Sequence, residues 1–324
     1  MIAAMDHALS HTPSHTRRAK GIGVAVASLV GLVGVLPPAR SQAPPSTDIY
    51  LVTVEYLVTV ELREGRPTLG ELMRLTDREA YDNQPAFLND GTILYSSLGE
   101  AGHTEILRFD PVSRRATTVV STPQSAYSPT PVPDGTALSV VRAYGAGDQQ
   151  LWLFPLDGSG AEPALLLPDI NPIGYHAWID ARRVLLFVLG EPATLQVATV
   201  GAGPGRVVAE NPGRCLARIP AASARSPLEM SFVRKVAEGE WWLEALDPET
   251  GATRRLVQTL PGSEDYAWSP DGSVWASDGG RLFRWRPDDE TWSEVADLTE
   301  RGLRGITRLA FDADGTTLAL VAEH

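Results

Sequence analysis

Ala267-Trp268-Ser269-Pro270-Asp271-Gly272-Ser273-Val274-Trp275-Ala276 is the stretch from which the fold can be read. An apolar-Trp pair reads as the end of a short strand, Asp-Gly as a tight turn in which Gly supplies a positive φ, and residues 273–276 as the returning strand of a hairpin. Working outward, the same turn recurs at Asp90-Gly91, Asp134-Gly135 and Asp314-Gly315, each followed by an apolar run at 92–96, 137–141 and 318–321. Successive turn glycines lie 44, 137 and 43 residues apart. The middle interval is three spacings of about 46, so two degenerate repeats belong inside it. Ala177-Trp178-Ile179-Asp180-Ala181-Arg182 followed by 184–188 is one of them. The other is 216–233, with 220–227 as a longer, irregular turn before Ser231-Phe232-Val233.

Each repeat continues into a third strand-like run, at 105–109, 150–155, 194–200, 241–246 and 281–285, and then into a fourth. Four short strands every 43 to 47 residues is the arithmetic of a β-propeller blade, and six turn positions give six blades. The last repeat stops after two strands. Residues 48–52 match the third-strand pattern and 71–76 the fourth, so the expected fold is all-β, a six-bladed propeller of four-stranded blades closed by N-terminal strands joining the C-terminal blade. Closure of this kind removes exposed strand edges. Helical periodicity is confined to 69–75 and 293–303, either of which could hold a turn or two. Leu51-Val52-Thr53-Val54-Glu55-Tyr56 is followed at once by Leu57-Val58-Thr59-Val60-Glu61-Leu62. Six is even, so a slip by one copy keeps every side chain on its face, and register is weakly specified there; the repeat reads as a strand extension.

The unit apolar-Trp-Ser-Pro-Asp-Gly plus apolar strand, with the less regular Pro131-Val132-Pro133-Asp134-Gly135, resembles the propeller repeats of TolB-like proteins from residue 48 onward. The resemblance implies architecture rather than activity, and a TolB-like propeller without the α/β domain that precedes TolB's own. The paired Gly-His and Trp-Asp marks of WD repeats do not occur, and no Gly-x-Ser-x-Gly elbow offers a scaffold for a serine hydrolase.

Composition narrows the function classes. The 324 residues carry 28 Lys and Arg against 40 Asp and Glu, with one Cys. Arg17, Arg18 and Lys20 precede an uncharged, mostly apolar run over 21–36, and small residues follow at Ala39 and Ser41. That order reads as a signal peptide over 1–41, cleaved near Ser41, then a short linker at 42–47 and a single propeller domain at 48–324. A periplasmic or secreted location follows, with no stable membrane insertion after cleavage. Past residue 41 there are 24 cations and 39 carboxylates, a net charge of −15 that repels nucleic acid. Cys215, alone and far from the export signal, reads as a buried small hydrophobe.

If the first strand of each blade faces the channel, the residues just before it crowd one mouth of the ring. These are Asp82, Asn83 and Gln84; Tyr127 and Ser128; Tyr175 and His176; Arg218; Glu264, Asp265 and Tyr266; and Thr307 and Arg308. Aromatic rings, carboxylates and arginines in a concave mouth can hold a ligand by stacking and charge-assisted hydrogen bonds. No metal and no cofactor is expected: beyond the export segment only His103, His176 and His324 remain, and Lys235 is the one lysine. Asp312-Ala313-Asp314-Gly315 starts like a calcium loop but runs into a strand, and Gly201-Ala202-Gly203-Pro204-Gly205 lacks the lysine and helix of a phosphate loop. The expected function is an exported, non-catalytic, monomeric binding or scaffold protein that presents the channel mouth to a protein, peptide or glycan. The alternative is a hydrolase or lyase using the mouth carboxylates Asp82, Glu264 and Asp265, with Ca²⁺ as a further possibility for them.

Overall fold

The computed structural model describes residues 45–57, 66–156, 158 and 161–323. The expected signal peptide and most of the second hexapeptide copy lie outside the described residues. Strands β1 (Thr47–Leu57) and β2 (Arg66–Arg74) come first in the chain but belong to the last blade. Blade 1 is β3 (Asp82–Phe87), β4 (Ile93–Leu98), β5 (Thr104–Asp110) and β6 (Arg115–Val120). Blade 2 is β7 (Ser125–Pro131), β8 (Ala137–Ala143), β9 (Gln149–Pro155) and β10 (Ala164–Leu165). Blade 3 is β11 (Ile173–Trp178), β12 (Arg183–Val188), β13 (Thr194–Thr199) and β14 (Arg206–Glu210). Blade 4 is β15 (Pro212–Arg218), β16 (Met230–Ala237), β17 (Glu240–Leu246) and β18 (Thr253–Gln258). Blade 5 is β19 (Tyr266–Trp268), β20 (Val274–Asp278), β21 (Arg281–Trp285) and β22 (Ser293–Asp297). Blade 6 runs β23 (Leu309–Phe311), β24 (Thr317–Glu323), β1, β2.

All pairings within blades are antiparallel, and the first strands touch in the cycle β3, β7, β11, β15, β19, β23 and back to β3. The ring is therefore closed and has six blades. Its seal is the β1–β24 ladder, in register from Thr47 opposite Glu323 to Thr53 opposite Thr317. The turn glycines Gly91, Gly135, Gly272 and Gly315 all have φ between 71° and 84°, as the Asp-Gly reading requires. One expectation needs correcting. Residues 69–75 form no helical turn; they lie mostly in β2, where Val54 pairs with Leu69 and Val52 with Leu72 along the edge of β1. Residues 293–303 divide into β22 and one 3-10 turn, Thr299–Arg301.

The core lies between blades. Six hydrophobic clusters occupy the six seams, one each. Period-2 alternation builds them, because neighbouring side chains of a strand face opposite sides of its sheet. On β24, Leu318, Leu320 and Ala322 pack toward blade 5, while Ala319 and Val321 pack toward blade 1. On β12, Val184, Leu186 and Val188 join the seam with blade 2 and Leu185 the seam with blade 4. Each blade thus needs two apolar faces, which is why the second strands read as continuous apolar runs.

Candidate functional site

The register of the hairpins places one residue per blade on the ring axis. First and second strands pair at Ala86–Leu94, Thr130–Ser139, Ala177–Leu185, Leu216–Phe232, Ala267–Trp275 and Ala310–Ala319. Two residues upstream of each pair stand Gln84, Ser128, Tyr175, Arg214, Asp265 and Arg308. All six line a single cavity of about 170 Å³, together with His176, Cys215, Tyr266 and Leu309 from the next position in their blades. In blades 1, 2 and 4 the ladder slips across this position. Gln84 and Ser128, each followed by a proline, are held there at φ of 58° and 53°, a conformation costly for residues with a Cβ and one that turns the chain at the axis.

Electrostatically the cavity is asymmetric. Arg214 spans the carboxylate of Asp265, Nε to Oδ1 at 3.2 Å and Nη2 to Oδ2 at 2.5 Å, and Arg308 Nη1 approaches the same Oδ1 at 3.2 Å. The Arg308 guanidinium also lies 4.9 Å from the centre of the Tyr175 ring, within cation–π range. Glu264 accepts from the Arg214 backbone N–H at 3.0 Å and pairs with Lys235 at 2.8 Å. Burial works to raise the Asp265 carboxyl, but the guanidinium charges of Arg308 and Arg214 outweigh it and hold the group below the usual carboxylate range. On the other side, Gln84 Oε1 accepts from Ser96 Oγ at 2.8 Å and from the Ser128 N–H at 2.7 Å, tying blade 1 to blade 2. Burial pushes the Cys215 thiol up to about 12, and its sulfur contacts the Tyr266 carbonyl at 3.1 Å, so it is no nucleophile.

His176 and Tyr266 stand one position past the axial residue in blades 3 and 5, and both are buried. Each completes the same clasp. Ser139 of blade 2 meets His176 Nε2 at 2.7 Å and accepts from Trp178 Nε1 at 2.9 Å. Ser231 of blade 4 meets the Tyr266 hydroxyl at 2.9 Å and accepts from Trp268 Nε1 at 2.9 Å. Burial lowers His176 to about 3, so the ring is neutral. Its Nδ1 and the Ser128 hydroxyl are buried without a hydrogen-bond partner among the described residues.

Of the sequence-predicted residues, Gln84, Ser128, Tyr175, His176, Asp265, Tyr266 and Arg308 meet at this cavity. Glu264 and Thr307 line an adjoining one of about 190 Å³ that shares Arg214 and Asp265. Asp82 lies fully buried between Arg78 and Ser97, and Asn83 caps its neighbour, Oδ1 accepting from Gln84 N–H at 2.7 Å. Tyr127 stacks edge-on against Tyr81, ring centres 6.2 Å apart. Arg218 is placed at the far end of β15, where Nη2 donates to the Pro227 carbonyl at 3.0 Å. Arg214 holds the axial position of blade 4 instead. Blade 4 has no Asp-Gly turn to count back from, but aligning Arg214-Cys215-Leu216-Ala217 with Asp265-Tyr266-Ala267-Trp268 finds it.

A ring of six four-stranded sheets around one axial cavity defines a six-bladed β-propeller. Solved TolB structures have a similar fold. The protein assigned as a TolB in Agrobacterium tumefaciens superposes with a TM-score of 0.61 at 15% identity, covering 87% of this chain and 99% of that one. TolB from Acinetobacter baumannii gives 0.53 at 14% identity, over 85% of this chain and 64% of that one. An oligogalacturonate lyase in complex with manganese gives 0.51 at 14% identity, over 80% and 83%. At such identities the likeness concerns the fold. No family model and no curated protein matches the sequence.

Proposed function

We propose that this protein is an exported, non-catalytic propeller that presents the axial mouth to a protein, peptide or glycan partner. The observation that carries the reading is the state of the carboxylates that the sequence placed at the mouth. Asp82 is gripped by Arg78, Glu264 by Lys235, and Asp265 by two arginines. Each of these carboxylates is already paired with a cation and serves as structure. Export rests on the charge and hydropathy order of residues 1–41. Among the described residues no helix is long and apolar enough to cross a membrane, and no three His, Cys, Asp or Glu side chains converge as metal ligands.

Site-specific photocrosslinking tests the reading. A photoreactive residue at Gln84, on the axis, is expected to trap a discrete envelope partner in living cells. The same probe at Val112, 93% exposed on the β5–β6 turn, is expected to trap none. Equal capture from both positions, or stoichiometric Mn²⁺ or Ca²⁺ in the purified protein together with turnover of a saccharide substrate, would overturn it in favour of an enzyme built on the mouth carboxylates.

A further inference from the structure

The charges at the axis do not balance. Among the described residues, Arg214, Lys235 and Arg308 pair only with Glu264 and Asp265. Glu264 is shared by Lys235 at 2.8 Å and Arg214 at 3.6 Å, and Asp265 by Arg214 and Arg308, so three cations meet two carboxylates. Arg214 takes both Asp265 oxygens, which leaves Arg308 a single contact at 3.2 Å and the face of Tyr175. Among the described residues no other acceptor hydrogen-bonds the Arg308 guanidinium, although its side chain is only 16% exposed. A surplus positive charge in such a place is costly, and arginine cannot relieve the cost by losing its proton.

Two residues that line the same cavity, His176 and Ser128, each have a buried polar atom without a partner among the described residues, Nδ1 and Oγ; neither atom is exposed to solvent, and the Ser128 hydroxyl reaches the cavity by turning about χ1. Ser139 has one hydroxyl proton and two acceptors within reach, His176 Nε2 at 2.7 Å and the Thr130 carbonyl at 3.1 Å. Only the imidazole can also donate, so the hydroxyl proton goes to the carbonyl, Nε2–H bonds to Ser139 Oγ alongside Trp178 Nε1–H, and Nδ1 is left unprotonated. Arg308 and Ser128 therefore bring donors and one net positive charge to a cavity of about 170 Å³.

We propose that the axial cavity binds a compact monocarboxylate, with Arg308 as its ionic partner and the Ser128 hydroxyl as a neutral donor. This deepens the reading of the mouth as a binding site and rests on it. A guanidinium fork suits carboxylate and phosphate alike, but a phosphomonoester carries about −1.5 to −2 and would overshoot a surplus of one. The volume decides the size: a cavity of about 150 Å³ accepts a molecule of benzene's dimensions. A small organic acid and the terminal carboxylate of a peptide share this chemistry.

Calorimetric titration of the whole protein separates the sources. Sodium propionate and sodium benzoate probe free acids; acetyl-Ala-Ala with a free and with an amidated C-terminus probes a chain end. Binding by any free carboxylate, with none by the amide, is the expected result. Arg308→Gln is expected to weaken it by about tenfold or more, the worth of one charge-assisted hydrogen bond, and Arg115→Gln on the outer strand β6 to leave it unchanged. Should Arg308→Gln fail to fold, Ser128→Ala replaces it, with a several-fold loss expected. No heat from any carboxylate up to roughly 10 mM, undiminished binding in whichever variant is read, or tighter binding of inorganic phosphate would overturn the proposal. Crosslinks retained at Gln84 in that event leave the partner-binding reading standing; loss of both removes the reading as well.

Discussion

At the scale of single residues, His176 gives the molecule an acid limit. Its ordinary pKa is 6.5, and burial depresses it to about 3. Between those values the unfolded chain holds a proton that the native chain lacks, so stability rises with pH across the window and levels off above 6.5. Urea midpoints are expected to fall steadily as pH drops from 6.5 to about 4, and His176→Gln to flatten most of that slope. Asp265, held low by its arginines, acts in a separate window; its contribution is lost only as pH falls below the ordinary carboxylate value. A slope identical in the variant would mean that the imidazole takes up its proton in place. His176 and Arg308 were legible as mouth residues because an Asp-Gly or Trp landmark lies at a fixed distance from each. Arg214 was not, because 220–227 replaces the landmark in blade 4, and the count shifted to Arg218. Nor could spacing show that Asp82 and Asn83 turn away from the axis into hydrogen bonds with Arg78, Ser97 and the Gln84 backbone.

At the scale of elements, blades are joined by packing plus a few buried hydrogen bonds that fix their angle. The serine–tryptophan clasp is the clearest case, used at the seams of blades 2 with 3 and 4 with 5. Ser231→Ala keeps the volume almost unchanged but strips partners from the Trp268 indole and the Tyr266 hydroxyl, both buried. A loss of about 2–4 kcal/mol is expected in urea unfolding, one to two kcal/mol per orphaned group, against almost none for Ser113→Ala on an exposed turn. The clasp was half visible in advance, since Trp178 and Trp268 align between repeats, but its serines sit on the neighbouring blade and no spacing within one repeat reveals them. Residues 69–75 teach the converse. Leu69, Leu72, Met73 and Leu75 carry a helical period, yet the unpaired edge of β1 demands a ladder, and tertiary pairing overrides local pattern.

The whole molecule depends on one ladder that joins distant parts of the chain. Thr47 and Glu323 are opposite partners in it, so blade 6 can be made contiguous without moving a strand in space. A circular permutant in which residues 45–74 follow Glu323 through a short turn is expected to fold with a melting temperature within a few degrees of the parent. Simple removal of 45–74 is expected to yield aggregates, because β24 becomes a bare edge. A soluble, cooperative deletion product would contradict the assigned closure. The ring itself was readable from turn spacing because each blade is a local unit, and closure was readable because the count of strands at the two ends was complementary.

That ladder also fixes a timetable. β1 is the first strand of the ring in chain order and β24 the last, so during synthesis the leading strand waits for a mate that arrives some 270 residues later. Throughout that delay Leu51-Val52-Thr53-Val54-Glu55-Tyr56 and its near-copy at 57–62 form a tract rich in β-formers with two glutamates as its only charges, able to zip onto the same tract of a neighbouring nascent chain. Crowding of newly made copies, rather than any weakness of the finished toroid, is where yield would be lost, and a holdase that masks this tract would act before the ring exists at all.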